Sequence, residues 1–209
     1  MKKGLFIVLE GPDRSGKSTQ AAMLRDWLLG LGHKVRLTRE PGGTYLSEKI
    51  RAILLDPKSE IEPLTELFLY ETSRAKHTLK VILPALKTGE IIVSDRYTMS
   101  TTAYQGYGRG LDLKTVETLN RIATMGLKPD LTIVFDVPDK VFKQRECRGN
   151  DRMELQGASF RLKVNRAYKR LSSRPGVKKV DASAPIEAVH AEVLSAIRPL
   201  LRKKGFGTR

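Results

Sequence analysis

The chain has 209 residues, 40% hydrophobic and 29% charged, which is ordinary usage for a protein with a buried core. No apolar run reaches the roughly 20 residues of a membrane span, no signal-peptide cleavage pattern follows residues 1–4, and Cys147 is the only cysteine; an intrachain disulfide is excluded, no membrane partner is expected, and a cytoplasmic location is. The net charge of +15 invites a nucleic-acid reading, but the basic residues are spread along the chain apart from Arg202-Lys203-Lys204, so small polyanionic substrates account for it and nucleic acid is not expected as the main partner.

The first predicted element is a strand at residues 5–9, apolar throughout. It runs into Gly11-Pro12-Asp13-Arg14-Ser15-Gly16-Lys17-Ser18-Thr19, which fits G-x-x-x-x-G-K-[ST]. Residues 20–31 follow, with Ala22, Leu24, Trp27, Leu28 and Leu31 at helical spacing. Strand, glycine loop and helix form the context a phosphate-binding loop requires. Glycines let the backbone bend around an anion, the loop N–H groups form a nest, and the helix start adds its positive dipole end. Residues 11–19 are therefore ATP-binding candidates, with Lys17 on the outer phosphates and Ser18 a ligand for Mg2+.

Further apolar runs lie at 35–38, 91–94, 131–135 and 177–180, alternating with helical patterns. Near-continuous hydrophobicity suits strands buried on both faces of a parallel sheet. The expected fold is α/β: a P-loop, three-layer α/β/α sandwich with a five-stranded parallel sheet and a short helical lid, in a single domain spanning 1–209. Ligands in such sheets sit beyond the carboxyl ends of the strands, and there the sequence places Arg39-Glu40-Pro41-Gly42-Gly43-Thr44, Asp95-Arg96-Tyr97, Asp136 and Asp181-Ala182-Ser183. Asp95 and Asp136 compete for the metal-sphere carboxylate. Between runs two and three, Leu64, Leu67, Phe68 and Glu71 keep helical spacing, and Pro84 is expected to break or kink that helix. Tyr70 and Arg74 share a neighbouring stripe; pattern alone assigns core packing to the first and a solvated face to the second. Residues 149–151 read as a loop inside a basic stretch, 143–152, ahead of a helix over 160–171. Ile186, Val189, Val193, Leu194, Ile197 and Leu200 mark the last helix. His33, His77 and His190 are scattered and form no metal-ligand cluster.

A guanine-nucleotide switch would need an Asn-Lys-x-Asp element, which is absent, and motor ATPases usually need a larger chain. Small-molecule phosphoryl transfer remains. The chain resembles the thymidylate kinase family from about residue 5 to about 200. The resemblance is carried by 11–19, by 38–44, by the pair Tyr70 and Arg74, and above all by residues 95–106, which resemble the signature D-R-Y-x-x-S-x-x-A-Y-Q. Lys128-Pro129-Asp130, Asp151-Arg152 and Asp181-Ala182 complete it.

That resemblance implies ATP-dependent phosphorylation of dTMP to dTDP with Mg2+, in a homodimer. It supports Asp95 beside Ser18 as the metal carboxylate, and it puts Arg96 on the phosphates between donor and acceptor. Asp13 is implied near the sugar 3′-hydroxyl, and Arg39 and Arg74 on the acceptor side. Tyr70 would stack on the base, Ser100, Thr101 and Gln105 would meet the pyrimidine edge, and Tyr104 would crowd the 2′ position. The resemblance also puts Asp181 near the adenine. Family members keep the catalytic arginine in the loop or in the lid; this chain has Arg14 in one and Arg145, Arg148 and Arg152 in or near the other, so Arg14 is expected to lead with Arg152 or Arg148 assisting. The lid is expected at about 143–156. A deoxynucleoside kinase using Glu40 as base, and a nucleotide-binding regulator, are the competing readings. Helices within 64–83 or 113–125 offer faces for the dimer.

Overall fold

In the computed structural model, residues 4–138, 141 and 151–208 are described. All five predicted strands form: β1 (Leu5–Glu10), β2 (Val35–Arg39), β3 (Ile91–Asp95), β4 (Leu131–Asp136) and β5 (Val177–Asp181). Each runs one residue beyond its apolar run, into Glu10, Arg39, Asp95, Asp136 or Asp181. The ladder continues there while the side chain turns polar. The sheet order is β2-β3-β1-β4-β5 and every pairing is parallel. Register brings Leu9 level with Asp95, and Asp95 level with Arg39, so these carboxyl ends share one edge.

Alternation splits the inner strands between two layers of helices. Leu5, Ile7, Leu9, Ile91, Val93, Ile133 and Phe135 pack with Leu24 and Leu28 of α1 (Lys17–Gly30) and with the last helix of the chain, Ile186–Lys203. Phe6, Val8 and Ile92 face the other layer, against Ile82, Ala85 and Tyr97. The inner strands are buried on both faces, as expected for a parallel sheet. The edge strands are not: Arg36, Lys178 and Lys179 stand exposed.

The structure adds a helix with no counterpart in the sequence reading, α2 (Tyr45–Leu55), whose first turn is capped by Thr44 Oγ1 accepting from the Ser47 N–H at 3.1 Å. Helix α3 (Pro63–His77) passes into a π-helical turn, Thr78–Ile82, and then α4 (Leu83–Lys87). Pro84 does not end the helical run. It sits in the first turn of α4, and the wider turn upstream, closed by the Leu83 N–H on the Thr78 carbonyl, makes room for its ring. A short α5 (Thr98–Thr101) likewise leads into a π-helical stretch, Thr102–Gly108, ahead of α6 (Leu113–Ala123). Helix α7 (Ala158–Leu171) packs on that stretch, and α8 (Ile186–Lys203) closes the chain. No helix among the described residues is long and apolar enough to cross a membrane.

Candidate active site

The loop between β1 and α1 takes the shape its glycines allow. Gly11 has φ +140°, and a Cβ there would stand 2.7 Å from the Phe135 carbonyl oxygen, so no other residue fits. Gly16, at φ +84°, lets the chain turn into α1 in the left-handed region. Lys17 is buried and its ammonium reaches the Pro12 carbonyl at 2.7 Å and Ser15 Oγ at 3.2 Å. Burial first, then the positive charge of Arg96, pushes its pKa down to about 8.

Ser18 Oγ donates to Asp95 Oδ2 at 2.5 Å, and both line a cleft of about 1830 Å3 open to solvent. Asp136 instead meets Lys179 at 3.5 Å and does not line that cleft. Of the two strand-end carboxylates, Asp95 is thus the one beside the loop. A hydroxyl and a carboxylate side by side are hard oxygen donors, the chemistry Mg2+ selects when substrate phosphates supply further ligands. Among the described residues no group of three or more His, Cys, Asp or Glu forms another such centre.

Arg96 follows Asp95 with a left-handed φ of +73°. Its Nη1 donates to the Gly11 carbonyl at 2.9 Å and to Ser100 Oγ and Tyr168 Oη at 3.1 Å each. Its Nη2 donates to Asp13 Oδ1 at 2.5 Å. Asp13 Oδ2 accepts from Tyr104 Oη at 2.9 Å. Burial works to raise the pKa of Asp13, but Arg96 and Lys17 outweigh it and hold the carboxyl below its ordinary value.

A second, partly open cavity adjoins Arg96. Tyr70, Arg74, Thr101, Tyr104 and Gln105 line it, while Asp13, Glu40, Arg51, Arg96 and Asp151 line both this cavity and the larger cleft. Tyr70 is half-buried with its ring on the cavity rather than in the core. Arg74 overturns the solvated-face reading, being 2% exposed. It donates to Glu40 Oε2, Glu71 Oε1, Asn120 Oδ1 and the Tyr97 carbonyl, all within 3.1 Å. Glu40 Oε1 is taken by His77 Nδ1 at 2.9 Å, and His77 Nε2 meets Thr38 Oγ1 at 2.7 Å. A carboxylate so engaged is poorly placed to act as a base, and His77 is a satisfied buried histidine.

The predicted pyrimidine contacts differ in their freedom. Thr101 Oγ1 is buried with no hydrogen-bond partner among the described residues, and Thr101 lines the cavity. Gln105 is anchored, its amide donating to Glu66 Oε1 at 2.7 Å. Ser100 Oγ is held by Glu10 at 2.6 Å.

Among the arginines, Arg14 lines the larger cleft and pairs with Glu154 across 3.6 Å. Arg39 also lines it, on Glu48 at 3.1 Å. Arg152 is buried and lines neither cavity; its Nε donates to the Leu54 carbonyl at 2.8 Å and its Nη1 pairs with Glu66 at 2.6 Å. Arg145 and Arg148 lie outside the described residues, as does most of the expected lid. Asp181 closes a turn onto Ser183, with N–H and hydroxyl at 2.9 and 2.6 Å, and the cleft wall there is made by Ala182, Ala184 and Ile186.

Arg51 and Glu10 are absent from the sequence-derived set. Arg51 belongs to the unpredicted α2, which Leu46, Ile50 and Leu54 at i, i+4, i+8 could have signalled. Glu10 is fully buried under the site, where burial raises its pKa against the hydrogen bond from Ser100 and the charge of Arg96. A lone charge after an apolar strand carries no sign of that burial.

A family model described as "Thymidylate kinase" matches residues 9–193. The chain is 44% identical over 205 residues to a protein named thymidylate kinase from Gloeobacter violaceus, covering 95% of this chain and 97% of that one. It is 46% identical over 196 residues to one of the same name from Leifsonia xyli subsp. xyli, covering 92% and 93%. A crystal structure of thymidylate kinase from Ehrlichia chaffeensis superimposes with a TM-score of 0.78 at 31% identity, over 93% of this chain and 98% of that one.

Proposed function

The chain belongs to the thymidylate kinase family, and from that premise we propose how its residues divide the work of phosphorylating dTMP. The enzyme transfers the γ-phosphoryl group of ATP to dTMP and releases dTDP. In our reading ATP occupies the larger cleft, with adenine against Ala182, Ala184 and Ile186, and dTMP occupies the second cavity. The observation that supports this division is the shared wall: Asp13, Glu40, Arg51, Arg96 and Asp151 border both spaces, and with Glu40 already engaged by Arg74 and His77, the two arginines supply the positive charge at which two nucleotides would meet phosphate to phosphate.

The acceptor oxygen belongs to a phosphate monoester, ionised near neutral pH, so no side chain needs to remove a proton. That oxygen attacks the γ-phosphorus, the bond from it to the β-bridging oxygen breaks, and ADP leaves with the electron pair. What the protein supplies is position and positive charge. Lys17 and the loop N–H groups hold the donor phosphates. Arg96 spans donor and acceptor, Arg51 and Arg39 draw in the acceptor phosphate, and Arg14 stabilises charge on the transferred group. Asp13 orients Arg96 and faces the sugar. Tyr70 stacks on thymine, the unpartnered Thr101 hydroxyl meets its edge, Tyr104 crowds the 2′ position, and Arg74 with Gln105 stiffens the base pocket. Ser18 and Asp95 would hold Mg2+, which neutralises phosphate charge when bound. We assign one domain with a lid at 143–156, homodimeric and cytoplasmic, and assign Arg152 to holding α2 and α3 together.

A panel of dTMP, dUMP, UMP and thymidine with ATP tests the reading. We expect turnover of dTMP, a value of kcat/KM for dUMP lower by about 10- to 200-fold since only a methyl group is missing, a further loss for UMP, and none with thymidine. Turnover of thymidine but not dTMP rejects it.

A further inference from the structure

We propose that Glu10 is a positioning residue for Arg96: from the end of β1 it sets the direction of two hydroxyl groups so that both present lone pairs to the guanidinium. This deepens, and rests on, the role given above to Arg96. Glu10 is fully buried, and every contact recorded for its carboxylate among the described residues comes from a donor. Oε1 accepts the N–H groups of Tyr97 at 2.8 Å and Ser100 at 3.2 Å. Oε2 accepts the hydroxyls of Ser100 at 2.6 Å and Tyr168 at 3.1 Å.

Each hydroxyl has one proton, and the two oxygens stand 2.9 Å apart, where either could donate to the other; a carboxylate, which only accepts, draws both protons to itself instead. What Ser100 and Tyr168 then offer Arg96 Nη1, 3.1 Å from both, is an acceptor oxygen. The same carboxylate clamps the N–H of Tyr97, the residue after Arg96, whose own φ of +73° is one that side chains rarely adopt. Backbone and head group of Arg96 are therefore both fixed from one buried point, with β1, α5 and α7 each contributing a partner. A Glu10→Gln variant keeps the shape of this side chain but gives it the wrong polarity. The introduced amide must turn its NH2 toward either the two N–H groups, where donors collide, or the two hydroxyls, whose protons would then swing toward Arg96.

The test is a double-mutant cycle. Steady-state kcat and KM for ATP and dTMP are measured for Glu10→Gln, Arg96→Lys and the double variant, with thermal midpoints alongside. Glu10→Gln is expected to retain its fold and to lose about 10- to 100-fold in kcat, with KM for ATP little changed, because misplacing a catalytic group by about 1 Å costs on that order. In the Arg96→Lys background the same substitution should cost less than about threefold, since residues acting through one another are not additive. A kcat unaffected by Glu10→Gln, or a loss that multiplies in full on Arg96→Lys as a purely structural defect would, overturns the proposal. Should Glu10→Gln fail to fold, the pair Ser100→Ala with Tyr168→Phe breaks the same two links from the other end and enters the same cycle under the same criteria. A fully active Arg96→Lys removes the role of Arg96 and this proposal with it; an impaired Arg96→Lys beside an active Glu10→Gln rejects Glu10 alone.

Discussion

Lys17 and Arg14 belong to the same short loop, yet their surroundings ask different things of them. Lys17 is buried against the loop it serves, and its pKa of about 8 places its charge within reach of ordinary assay conditions. ATP affinity should therefore fall as pH rises through about 8, read as an increase in KM for ATP or in its Kd by titration calorimetry. The sign for stability is opposite. A lysine whose folded pKa lies below its ordinary 10.5 holds its proton more tightly in the unfolded chain, so unfolding free energy should rise with pH between about 8 and 10.5. Arg14 is one-fifth exposed and spans toward Glu154. Removing it should spare nucleotide binding and slow the chemical step: Arg14→Ala is expected to lower kcat by about 10²- to 10³-fold, the order of a lost charge-stabilising donor, with a much smaller change in KM. An unchanged kcat moves that role to the lid. Arg14 is legible in the motif as an unspecified position; its partner is not, because nothing in the sequence ties 14 to 154.

At the scale of elements, Glu66 shows how the wall of the second cavity is braced. It lies fully buried on α3 and pairs with Arg109 at 2.9 Å and Arg152 at 2.6 Å, while accepting from Gln105 of the π-helical stretch. Burial works to raise its pKa, but the bonds from Arg109 and Gln105 and the charges of both arginines bring it below the ordinary value of 4.5. It therefore stays ionised, and its contribution is fully present above pH 4.5 and lost as pH falls through the depressed value. Glu66→Ala strands two cations and an amide. A loss of about 3–5 kcal/mol is expected, as for breaking a buried pair by removing one partner, read from the urea midpoint. A loss under about 1 kcal/mol, the surface-pair range, contradicts the brace. The helical pattern of α3 was readable from its apolar spacing, and the position of Glu66 within it was not: a carboxylate in a periodic stretch ordinarily marks the solvent face. The π-helical stretches were equally hidden, since widening by one residue per turn leaves the local pattern almost unchanged.

For the molecule as a whole, two features of the surface matter. One is the net charge of +15, which follows from composition and suits anionic substrates. The other is an apolar stripe on α3, where Leu64 and Phe68, one turn apart, are 49% and 50% exposed. With Ile122 and Met125 also exposed near the end of α6, this is the face the proposed homodimer would use. Phe68→Glu should shift a dimer to monomer in sedimentation velocity, because a charge would be buried at the contact. A parent protein that sediments as a monomer at every concentration rules the face out.

The sequence by itself determined the layers and the phosphate loop. Short continuous apolar runs bounded by turn residues suit strands buried in a sheet, and a loop with glycines, a lysine and a hydroxyl at that spacing binds phosphate through backbone geometry that is local. It also determined the reaction, through the long signature at residues 95–106. Tertiary structure alone decided which polar residues are engaged and which are available. Thr101 is left with a hydroxyl unpartnered among the described residues while Gln105 is spent on Glu66, Asp95 rather than Asp136 meets Ser18, and Arg152 turns to Glu66 rather than into the larger cleft. Those outcomes depend on distances between residues far apart in the chain, and a one-dimensional pattern records spacing along a strand or helix but not what stands across from it.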